Sequence, residues 1–315
     1  MKKKILILTG PTGVGKSHLS IDLAKSLNGE IISADSMQIY KDFNIGTGKI
    51  RPDETEDIPH YGLSHVDPFA EYSVAEFSKD VESYVERIEK KGKLPILVGG
   101  TGLYLHSIMC QLDFFKTKKD KPLRQDLKNI YQEKGNQGLV DLLKDLNPSK
   151  LDNIDEKNPQ RLMRALEIEI QNPNQASTGL NVESLSYDPC LIILDRNREE
   201  LYERINQRVD GMIQEGLFDE VKSLIDSGLN EKNQAMKAIG YKEIYQYFLG
   251  HTNYEETVDL IKRNSRRYAK RQLTWFRRYE KGFWVNLSNT SQKDALDQII
   301  LHWRKHEQRN RPVNR

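Results

Sequence analysis

The first thirty residues place a short apolar run before a polar loop and an amphipathic segment. Residues 5–8 are four consecutive apolar side chains, which suit a strand that is buried on both faces. A glycine-rich segment follows at 10–17, and apolar residues then recur at helical spacing. Those positions are Leu19, Ile21, Leu23, Ala24 and Leu27. The sequence therefore predicts a strand, a glycine loop and a helix in direct succession.

Further apolar runs at 30–34, 94–98 and 191–195 predict three more short strands. Residues 73–90 carry apolar side chains three and four positions apart, which predicts an amphipathic helix. A second helical pattern covers residues 201–225. Strands that alternate with helices are typical of an α/β protein. We therefore expect a P-loop NTPase-like parallel sheet flanked by helices.

The composition changes in the middle of the chain, where glycine becomes rare and Lys, Asp, Asn and Leu become frequent. Residues 114–187 have apolar positions at helical spacing and no clear strand pattern, so they predict an all-helical insertion between two core strands. The predicted organisation is a core domain of residues 1–113 and 188–315, which ends in basic helices, and a helical insertion domain of residues 114–187.

Composition and charge exclude several classes of protein. The chain has 315 residues, a net charge of +2 and two cysteines, Cys110 and Cys190, so it can bury a large core without disulfides. No stretch approaches the ~20 apolar residues of a membrane span, and the run at 5–8 is too short for a signal peptide. We therefore expect a soluble, cytoplasmic protein without a membrane partner. A monomer is expected as well, although composition does not decide the oligomeric state.

Positive charge is concentrated in residues 262–281, where nine lysines and arginines accompany a single acid, Glu280. Within residues 265–278 of this stretch, three aromatic residues, Tyr268, Trp275 and Phe276, are interspersed with the basic ones. Basic and aromatic side chains on one helix can follow phosphates and stack on bases. A helix with aromatic side chains in the core and basic side chains in solvent fits the same pattern.

Residues 10–17 match the pattern G-x-x-x-x-G-K-[ST], which binds phosphate groups. The predicted phosphate-binding residues are Gly10, Pro11, Thr12, Gly13, Val14, Gly15, Lys16 and Ser17. The glycines let backbone N–H groups converge on phosphate oxygens, Lys16 supplies a positive charge, and Ser17 can ligate Mg²⁺. The motif is typical of nucleotide- and ATP-binding proteins, yet a nucleotide and an organic diphosphate offer this loop the same oxygens.

Several polar residues follow the predicted strands or face them from a helix. Asp35 comes after the second strand, where it is a candidate for chemistry or, alternatively, a helix cap. Thr101 follows the third, where it can donate a hydroxyl to the ligand or serve as a turn residue. Asp195 ends the fourth and can bind Mg²⁺ or pair with adjacent arginines. Arg204 and Arg208 resemble the arginines that close over phosphates in P-loop transferases.

These motifs as a set resemble the tRNA dimethylallyltransferase family, also called tRNA isopentenyltransferases, of the bacterial type. They occur in the order of the family and are spread over most of the chain. The matching segments are residues 10–17, Asp35-Ser36-x-Gln38-x-Tyr40, 45–49, 73–77, 99–104, 158–167, 239–241 and 268–277.

The resemblance implies transfer of a dimethylallyl group from dimethylallyl diphosphate to N6 of adenosine 37 in tRNA, with Mg²⁺ assisting the release of diphosphate. The residue that matches the family's base is Asp35, and Thr101 and Arg208 match groups that stabilise the leaving diphosphate together with Lys16 and Ser17. The helical insertion would grip the anticodon stem-loop from the side opposite the core. Contacts with tRNA are implied for Asp35, Ser36, Met37, Gln38, Thr101, Arg124, Gln160, Arg161, Leu162, Met163, Arg164, Ala238, Ile239, Gly240, Tyr241, Lys242 and Glu243.

The chain departs from the family pattern in three places. Tyr61 stands where the second of two adjacent histidines is common, and Gly48 and Ile50 stand where alanine and proline are usual. The zinc finger of eukaryotic members is missing, so no structural metal is expected. Two other functions remain open at this stage, namely a nucleotide or small-molecule kinase that uses ATP, and a noncatalytic RNA-binding module.

Overall fold

The computed structural model describes residues 2–110, 120–173 and 186–309. Within these ranges, six strands form one sheet. They are β1 (Lys3–Thr9), β2 (Gly29–Ser33), β3 (His60–Tyr61), β4 (Leu94–Gly99), β5 (Tyr187–Asp195) and β6 (Phe283–Asn286). The order across the sheet is β3-β2-β4-β1-β5-β6, and all neighbouring pairs are parallel. The predicted parallel sheet is therefore confirmed.

The central strand β1 is buried on both faces. Ile5 and Ile7 belong to one hydrophobic cluster, and Leu6 and Leu8 belong to a second cluster. Because alternate residues of a strand point to opposite faces, each cluster fills the space on one side of the sheet. A parallel sheet covered on both sides needs continuous apolar strands, which explains why four apolar residues in a row mark this strand.

Helices connect and cover the strands. They are α1 (Lys16–Ser26), α2 (Val74–Lys90), α3 (Gly102–Met109), α4 (Lys121–Leu146), α5 (Pro159–Gln171), α6 (Arg198–Gln214), α7 (Leu217–Asp226), α8 (Tyr241–Phe248), α9 (Tyr254–Phe276) and α10 (Gln292–Arg309). In the described part of the chain, none of the helices is apolar over a length that would cross a membrane.

The helical pattern over residues 201–225 forms two helices instead of one continuous helix. α6 ends at Gln214, and α7 begins at Leu217 after Gly216, whose φ is +98°. Glycine adopts this left-handed conformation at little cost, whereas a side chain would be strained there. The helix therefore ends before Gly216, and α7 begins as a separate helix.

The chain divides into two compact units, one of residues 1–110 and 183–315 and the other of residues 111–182. In the second unit, α4 is kinked at Gly135 (φ +63°), and the side chain of Asn158 caps α5. Five buried leucines form the core of this unit, namely Leu127, Leu139, Leu143, Leu162 and Leu166. Amphipathic helices that bury one apolar face explain how it packs without a strand in its described residues.

The topology of the sheet brings three chain segments to one edge. The carboxyl ends of parallel strands lie at the same edge of a sheet. β1 leads into the glycine loop, β2 ends two residues before Asp35, and β4 ends two residues before Thr101. These strands are direct neighbours in the order β2-β4-β1, so the three candidate segments meet.

Candidate active site

The glycine loop between β1 and α1 needs its glycines for steric reasons. Gly10, Gly13 and Gly15 have φ values of +152°, +78° and +109°. A Cβ atom on Gly10 would lie 2.5 Å from the carbonyl oxygen of Leu194, and one on Gly13 would lie 2.9 Å from a side-chain carbon of Ile205. The loop therefore combines left-handed backbone with close packing, which is the geometry that lets backbone N–H groups converge on an anion.

Two basic groups share the space above this loop. The Lys16 Nζ donates hydrogen bonds to the carbonyl oxygens of Gly10 and Pro11, each at 2.9 Å. Burial lowers the pKa of Lys16 to about 7, the charge of Arg208 acts in the same direction, and Asp35 opposes them. Burial also lowers the pKa of Arg208. Both side chains nevertheless reach solvent, since Lys16 is partly exposed and Arg208 is exposed, so an anionic ligand can reach both cations and offset the charge of each.

The loop lines a cavity of about 470 Å³, which we call the phosphate cavity. Asp35 and Arg208 line it from other parts of the chain. The remaining lining residues include Thr12, Gly13, Gly15, Lys16, Ser17, Gln38, Thr47, Gly100, Arg204, Tyr268 and Gln272. The cavity therefore combines an anion-binding loop with a carboxylate.

Asp35 caps a turn rather than a helix, and it also lines the phosphate cavity. Its Oδ1 accepts hydrogen bonds from the backbone N–H of Met37 at 2.9 Å and of Gln38 at 3.4 Å. Thr101 fixes the same turn, because its Oγ1 accepts the N–H of Ser36 at 3.1 Å. The hydrogen bonds to one carboxylate oxygen orient the group, and its other oxygen is the one that can accept a proton from a ligand.

A second cavity of about 290 Å³ shares Thr12, Asp35, Thr47, Arg208 and Tyr268 with the phosphate cavity. We call it the apolar cavity because much of its wall is hydrophobic. Its other lining residues include Ser36, Met37, Gly46, Ile205, Val209, Met212, Leu217, Lys237, Ala238, Ile239, Gly240, Lys242, Ile261 and Arg271. The carboxylate of Asp35 and the guanidinium of Arg208 thus lie where an anion site meets an apolar one.

The segment from Ala238 to Glu243 contributes to this wall in two ways. Ala238, Ile239, Gly240 and Lys242 line the apolar cavity, whereas Tyr241 and Glu243 are buried behind it. The carboxylate of Glu243 accepts the N–H of Gly240 at 2.7 Å and a side-chain N–H of Asn264 at 2.7 Å. The buried members therefore hold the backbone that presents the others.

The second unit contains the remaining residues predicted to contact tRNA. Arg124 and Arg164 both donate to the buried carboxylate of Glu167, with nitrogen–oxygen distances of 3.1 Å and 3.2 Å. Gln160 and Arg161 donate backbone N–H groups to the cap residue Asn158. Within the same segment, Leu162 lies in the leucine core and Met163 packs against it. Any RNA contact at this segment therefore falls to its polar side chains, and this role stays a prediction.

The basic helix α9 places some of its aromatic side chains in the core and one at the two cavities. Phe276 is fully buried and Trp275 packs against the core, with the Arg278 guanidinium 3.7 Å from its ring centroid. Tyr268 instead lines both cavities, where burial raises its pKa to about 12 and keeps the phenol protonated. The exposed basic side chains of α9 are Arg263, Arg267, Lys270 and Arg271.

Gln272 is a site residue to which the sequence assigned no role. Its Oε1 accepts the backbone N–H of Thr12 at 2.9 Å, and its Nε2 donates to the carbonyl oxygen of Gly100 at 2.9 Å. One buried amide therefore ties the glycine loop to the turn after β4. The absence of a side chain at Gly100 permits this contact, because a Cβ there would lie 2.2 Å from Gln272 Nε2.

Asp195 ends β5 as predicted. Its Oδ1 accepts the backbone N–H of Arg196 at 2.8 Å, whereas the guanidinium of Arg196 forms an ion pair with Glu200. Asp195 is not one of the described residues that line the phosphate cavity or the apolar cavity. The Arg196 Nε donates to the carbonyl oxygen of Val14 at 3.0 Å, so this arginine supports the glycine loop from behind.

The oxygen atoms in the phosphate cavity suit a small divalent cation bound together with a phosphate ligand. Ser17 and Asp35 both line the cavity. Mg²⁺ usually takes one or two protein oxygens and completes its shell with phosphate oxygens and water. In the described ranges, no cluster of three or more His, Cys, Asp or Glu side chains could hold a metal by itself. Ser17 can therefore contribute one oxygen to an ion held mainly by a phosphate ligand.

Comparisons with known proteins give a consistent result. The sequence pattern of the family described as IPP transferase matches residues 38–279, and that described as isopentenyl transferase matches residues 3–65. A tRNA dimethylallyltransferase of Alkaliphilus oremlandii is 46% identical over 304 residues, which cover 96% of this chain and 97% of that protein.

Solved structures agree with the sequence relatives. The crystal structure of a full-length tRNA isopentenylpyrophosphate transferase from Bacillus halodurans is similar with a TM-score of 0.74 and 40% identity, covering 98% of this chain and 99% of that one. A structure of a eukaryotic dimethylallyltransferase acting on tRNA gives a TM-score of 0.83 and 30% identity, covering 100% of this chain and 81% of that one.

Proposed function

Because this chain belongs to the IPP transferase family, we propose that it transfers a dimethylallyl group from dimethylallyl diphosphate to N6 of adenosine 37 in tRNA. The products are N6-dimethylallyladenosine in the tRNA and free diphosphate. The family assignment supports a tRNA-modifying transferase, and the kinase alternative is not favoured because the relatives are tRNA dimethylallyl- or isopentenyltransferases.

The observation that carries this proposal is the junction of the two cavities at Asp35 and Arg208. The diphosphate occupies the phosphate cavity, where the glycine loop, Lys16 and Arg208 offset its charge. The five-carbon group and the adenine lie toward the apolar cavity. A reaction between a diphosphate ester and an aromatic amine needs this combination, because the breaking C–O bond then lies at the boundary between the two environments.

The chemical step replaces one bond to the allylic carbon by another. N6 attacks this carbon, the bond between carbon and the diphosphate oxygen breaks, and the electron pair leaves with diphosphate. The exocyclic amine is a weak nucleophile because its lone pair is conjugated with the ring, so Asp35 accepts the N6 proton. Negative charge grows on the departing oxygen, and Lys16, Thr101 and Arg208 stabilise it.

Ser17 is the residue that would hold Mg²⁺ through its hydroxyl. The ion, when bound with the diphosphate, supplies further positive charge to the leaving group. Transfer should therefore stop when EDTA removes divalent cations and should recover when Mg²⁺ is added back.

The tRNA must expose its base before it can react. An adenine stacked in the anticodon loop cannot reach Asp35, so it is extruded at a cost of a few kcal/mol that new contacts offset. We assign contacts near the base to residues 35–38, Thr101 and the exposed part of the 238–243 segment. Contacts with the stem-loop are assigned to the polar side chains of Arg124, Gln160, Arg161 and Arg164. The expected monomeric state stays a prediction, which sedimentation of the protein alone can check.

The test uses Asp35→Asn, because the amide oxygen can still accept the N–H of Met37 while the group loses its basicity. We expect transfer of label from dimethylallyl diphosphate to an anticodon stem-loop to fall about 10²- to 10⁴-fold, the usual contribution of a general base. Binding of the stem-loop should remain. Asp67→Asn is the matched control, since Asp67 caps the N–H of Phe69 at 2.8 Å in a turn outside both cavities. Transfer that persists in Asp35→Asn at the rate of the control would remove Asp35 from the mechanism.

A further inference from the structure

The carboxylate of Glu220, on α7, accepts four hydrogen bonds. Its Oε2 accepts the backbone N–H groups of Asn44 at 3.0 Å and Ile45 at 2.9 Å. Its Oε1 accepts the N–H of Gly46 at 3.2 Å and the hydroxyl of Tyr241 at 2.6 Å. We call these four contacts the Glu220 clamp. An ionised carboxylate can accept about four hydrogen bonds, so this side chain is fully used.

The clamp depends on a close approach between the loop and the ring of Tyr241. A Cβ atom on Gly46 would lie 2.4 Å from a ring carbon of Tyr241 and 2.9 Å from a methyl carbon of Leu217. Tyr241 is fully buried, and its ring lies 4.5 Å from that of Phe43 between centroids. Burial and the adjacent Glu220 raise the pKa of Tyr241 well above its usual range, so the hydroxyl stays a donor. The loop therefore has one closely defined position.

The other side of this loop faces the reaction site. The carbonyl oxygen of Thr47 accepts a hydrogen bond from Arg208 Nη2 at 3.3 Å and from Gln38 Nε2 at 3.3 Å. Gly46 and Thr47 themselves line the apolar cavity. Glu220 thus holds the N–H side of a short loop whose carbonyl side contacts the arginine beside the leaving group.

On the basis of the proposed function, we propose that Glu220 is a positioning residue of the transferase site. Through the loop of residues 44–47, its carboxylate sets the position of Arg208 and of the wall of the apolar cavity. Glu220 contacts backbone groups and Tyr241, and it takes no part in the proton transfer. Its effect on the reaction comes from geometry, and a misplacement of about 1 Å near reacting groups can cost about 100-fold in rate.

Glu220→Gln tests this role with little change in shape. The oxygen of the new amide can still accept hydrogen bonds on one side. The NH₂ group of the amide then faces either the N–H of Gly46 or the N–H groups of Asn44 and Ile45, depending on the orientation of the amide. At least one backbone donor therefore loses its acceptor. Glu256→Gln is the matched control, because Glu256 also accepts a backbone N–H, that of Asn253 at 3.0 Å, and does not line either described cavity.

Three measurements are compared in wild type and both variants. They are kcat and KM for dimethylallyl diphosphate with a saturating anticodon stem-loop, hydrogen exchange of the peptide covering residues 41–50, and the melting temperature. In Glu220→Gln we expect kcat to fall about 10- to 100-fold, KM to change less than about threefold, and the peptide to exchange faster. Glu256→Gln should match the wild type in kcat and in exchange of this peptide.

A purely structural role would lower the melting temperature and leave kcat per folded molecule unchanged, which would overturn the proposal. A loss of kcat without faster exchange of residues 41–50 would also overturn it. If Glu220→Gln does not fold, Tyr241→Phe removes the hydroxyl that donates to Glu220 at 2.6 Å, and a several-fold loss of kcat with faster exchange is then required. Absence of transfer by the wild type would refute the proposed function itself, so the two failures are distinguishable.

Discussion

Replacing Gln272 by glutamate tests whether the glycine loop binds an anion. The variant keeps the shape of the side chain and its acceptor for the N–H of Thr12, which is bonded at 2.9 Å. It loses the donor to the carbonyl oxygen of Gly100 and places a negative charge against the loop. For a unit charge about 6 Å from the new carboxylate, an effective dielectric constant of about 20 gives roughly 3 kcal/mol of repulsion.

This energy corresponds to a loss of about 100-fold in the affinity for diphosphate. The assay is calorimetric titration of inorganic diphosphate with Mg²⁺ into each variant at pH 7.5. Burial should raise the pKa of the introduced carboxyl group, and the protonated acid is neutral and regains a donor. The defect in affinity should therefore shrink as the pH is lowered.

Gln234→Glu is the matched control because Gln234 makes the same pair of contacts elsewhere. Its Oε1 accepts the N–H of Tyr72 at 3.1 Å, and its Nε2 donates to the carbonyl oxygen of Tyr72 at 2.9 Å. Both variants lose one donated hydrogen bond, at a cost of about 1–3 kcal/mol in the free energy of unfolding. Only the variant at Gln272 should lose affinity for diphosphate. Equal affinity in the two variants would refute the placement of the anion.

Three other outcomes follow from the structure. Gly100→Ala should weaken diphosphate binding, because a Cβ atom on residue 100 would lie 2.2 Å from the amide nitrogen of Gln272 and displace that side chain. Gly211→Ala is the control, because a Cβ atom on residue 211 meets no atom within 4 Å and should leave binding unchanged. The calorimetric titration described above checks both variants. Burial lowers the pKa of Lys49 from 10.5 to about 8, so between these two pH values the unfolded chain binds more protons than the folded chain. The free energy of unfolding of the wild type, relative to that of Lys49→Met, should therefore rise with pH across this window. Urea denaturation at a series of pH values measures this difference. Glu167→Gln weakens the pairing with two half-exposed arginines and should lower the free energy of unfolding by about 1–2 kcal/mol, measured in the same way.

The parts of the site that the sequence could predict are local. The glycine loop is contiguous with the strand and helix that frame it, so the spacing of a few residues was sufficient. Asp35 and Thr101 could be placed because strands of a parallel sheet bring their carboxyl ends to one edge. The structure confirms the sheet on which this reasoning depended.

The supporting residues could not be predicted because they depend on packing between distant segments. Gln272 is 260 positions from Thr12, and Glu220 is 174 positions from Gly46. A lone glutamine or glutamate on an amphipathic helix has no periodicity that distinguishes it from a solvated side chain. The break at Gly216 is equally hard to predict, since an isolated glycine inside a helical pattern often continues the helix.

The departure from the family pattern at Gly48 acquires a physical meaning in the structure. Its φ is +56°, and a Cβ atom there would lie 1.8 Å from Arg208 Nη2. The missing side chain therefore makes room for the guanidinium, which lies against the loop that Glu220 holds. From the sequence, Gly48 was only a departure from the residue that is usual in the family.

The partners of the basic groups explain why the site can accept a highly charged ligand. Lys16 and Arg208 donate to backbone carbonyl oxygens, and Arg204 Nε donates to that of Gly13 at 3.1 Å. A neutral carbonyl satisfies a cation more weakly than a carboxylate does, because it carries no net negative charge that attracts the cation. A diphosphate can therefore displace these oxygens with a net gain. A carboxylate inside the loop would hold the same cations more tightly and compete with the ligand, which is why glutamate at position 272 should be so much more damaging than at position 234.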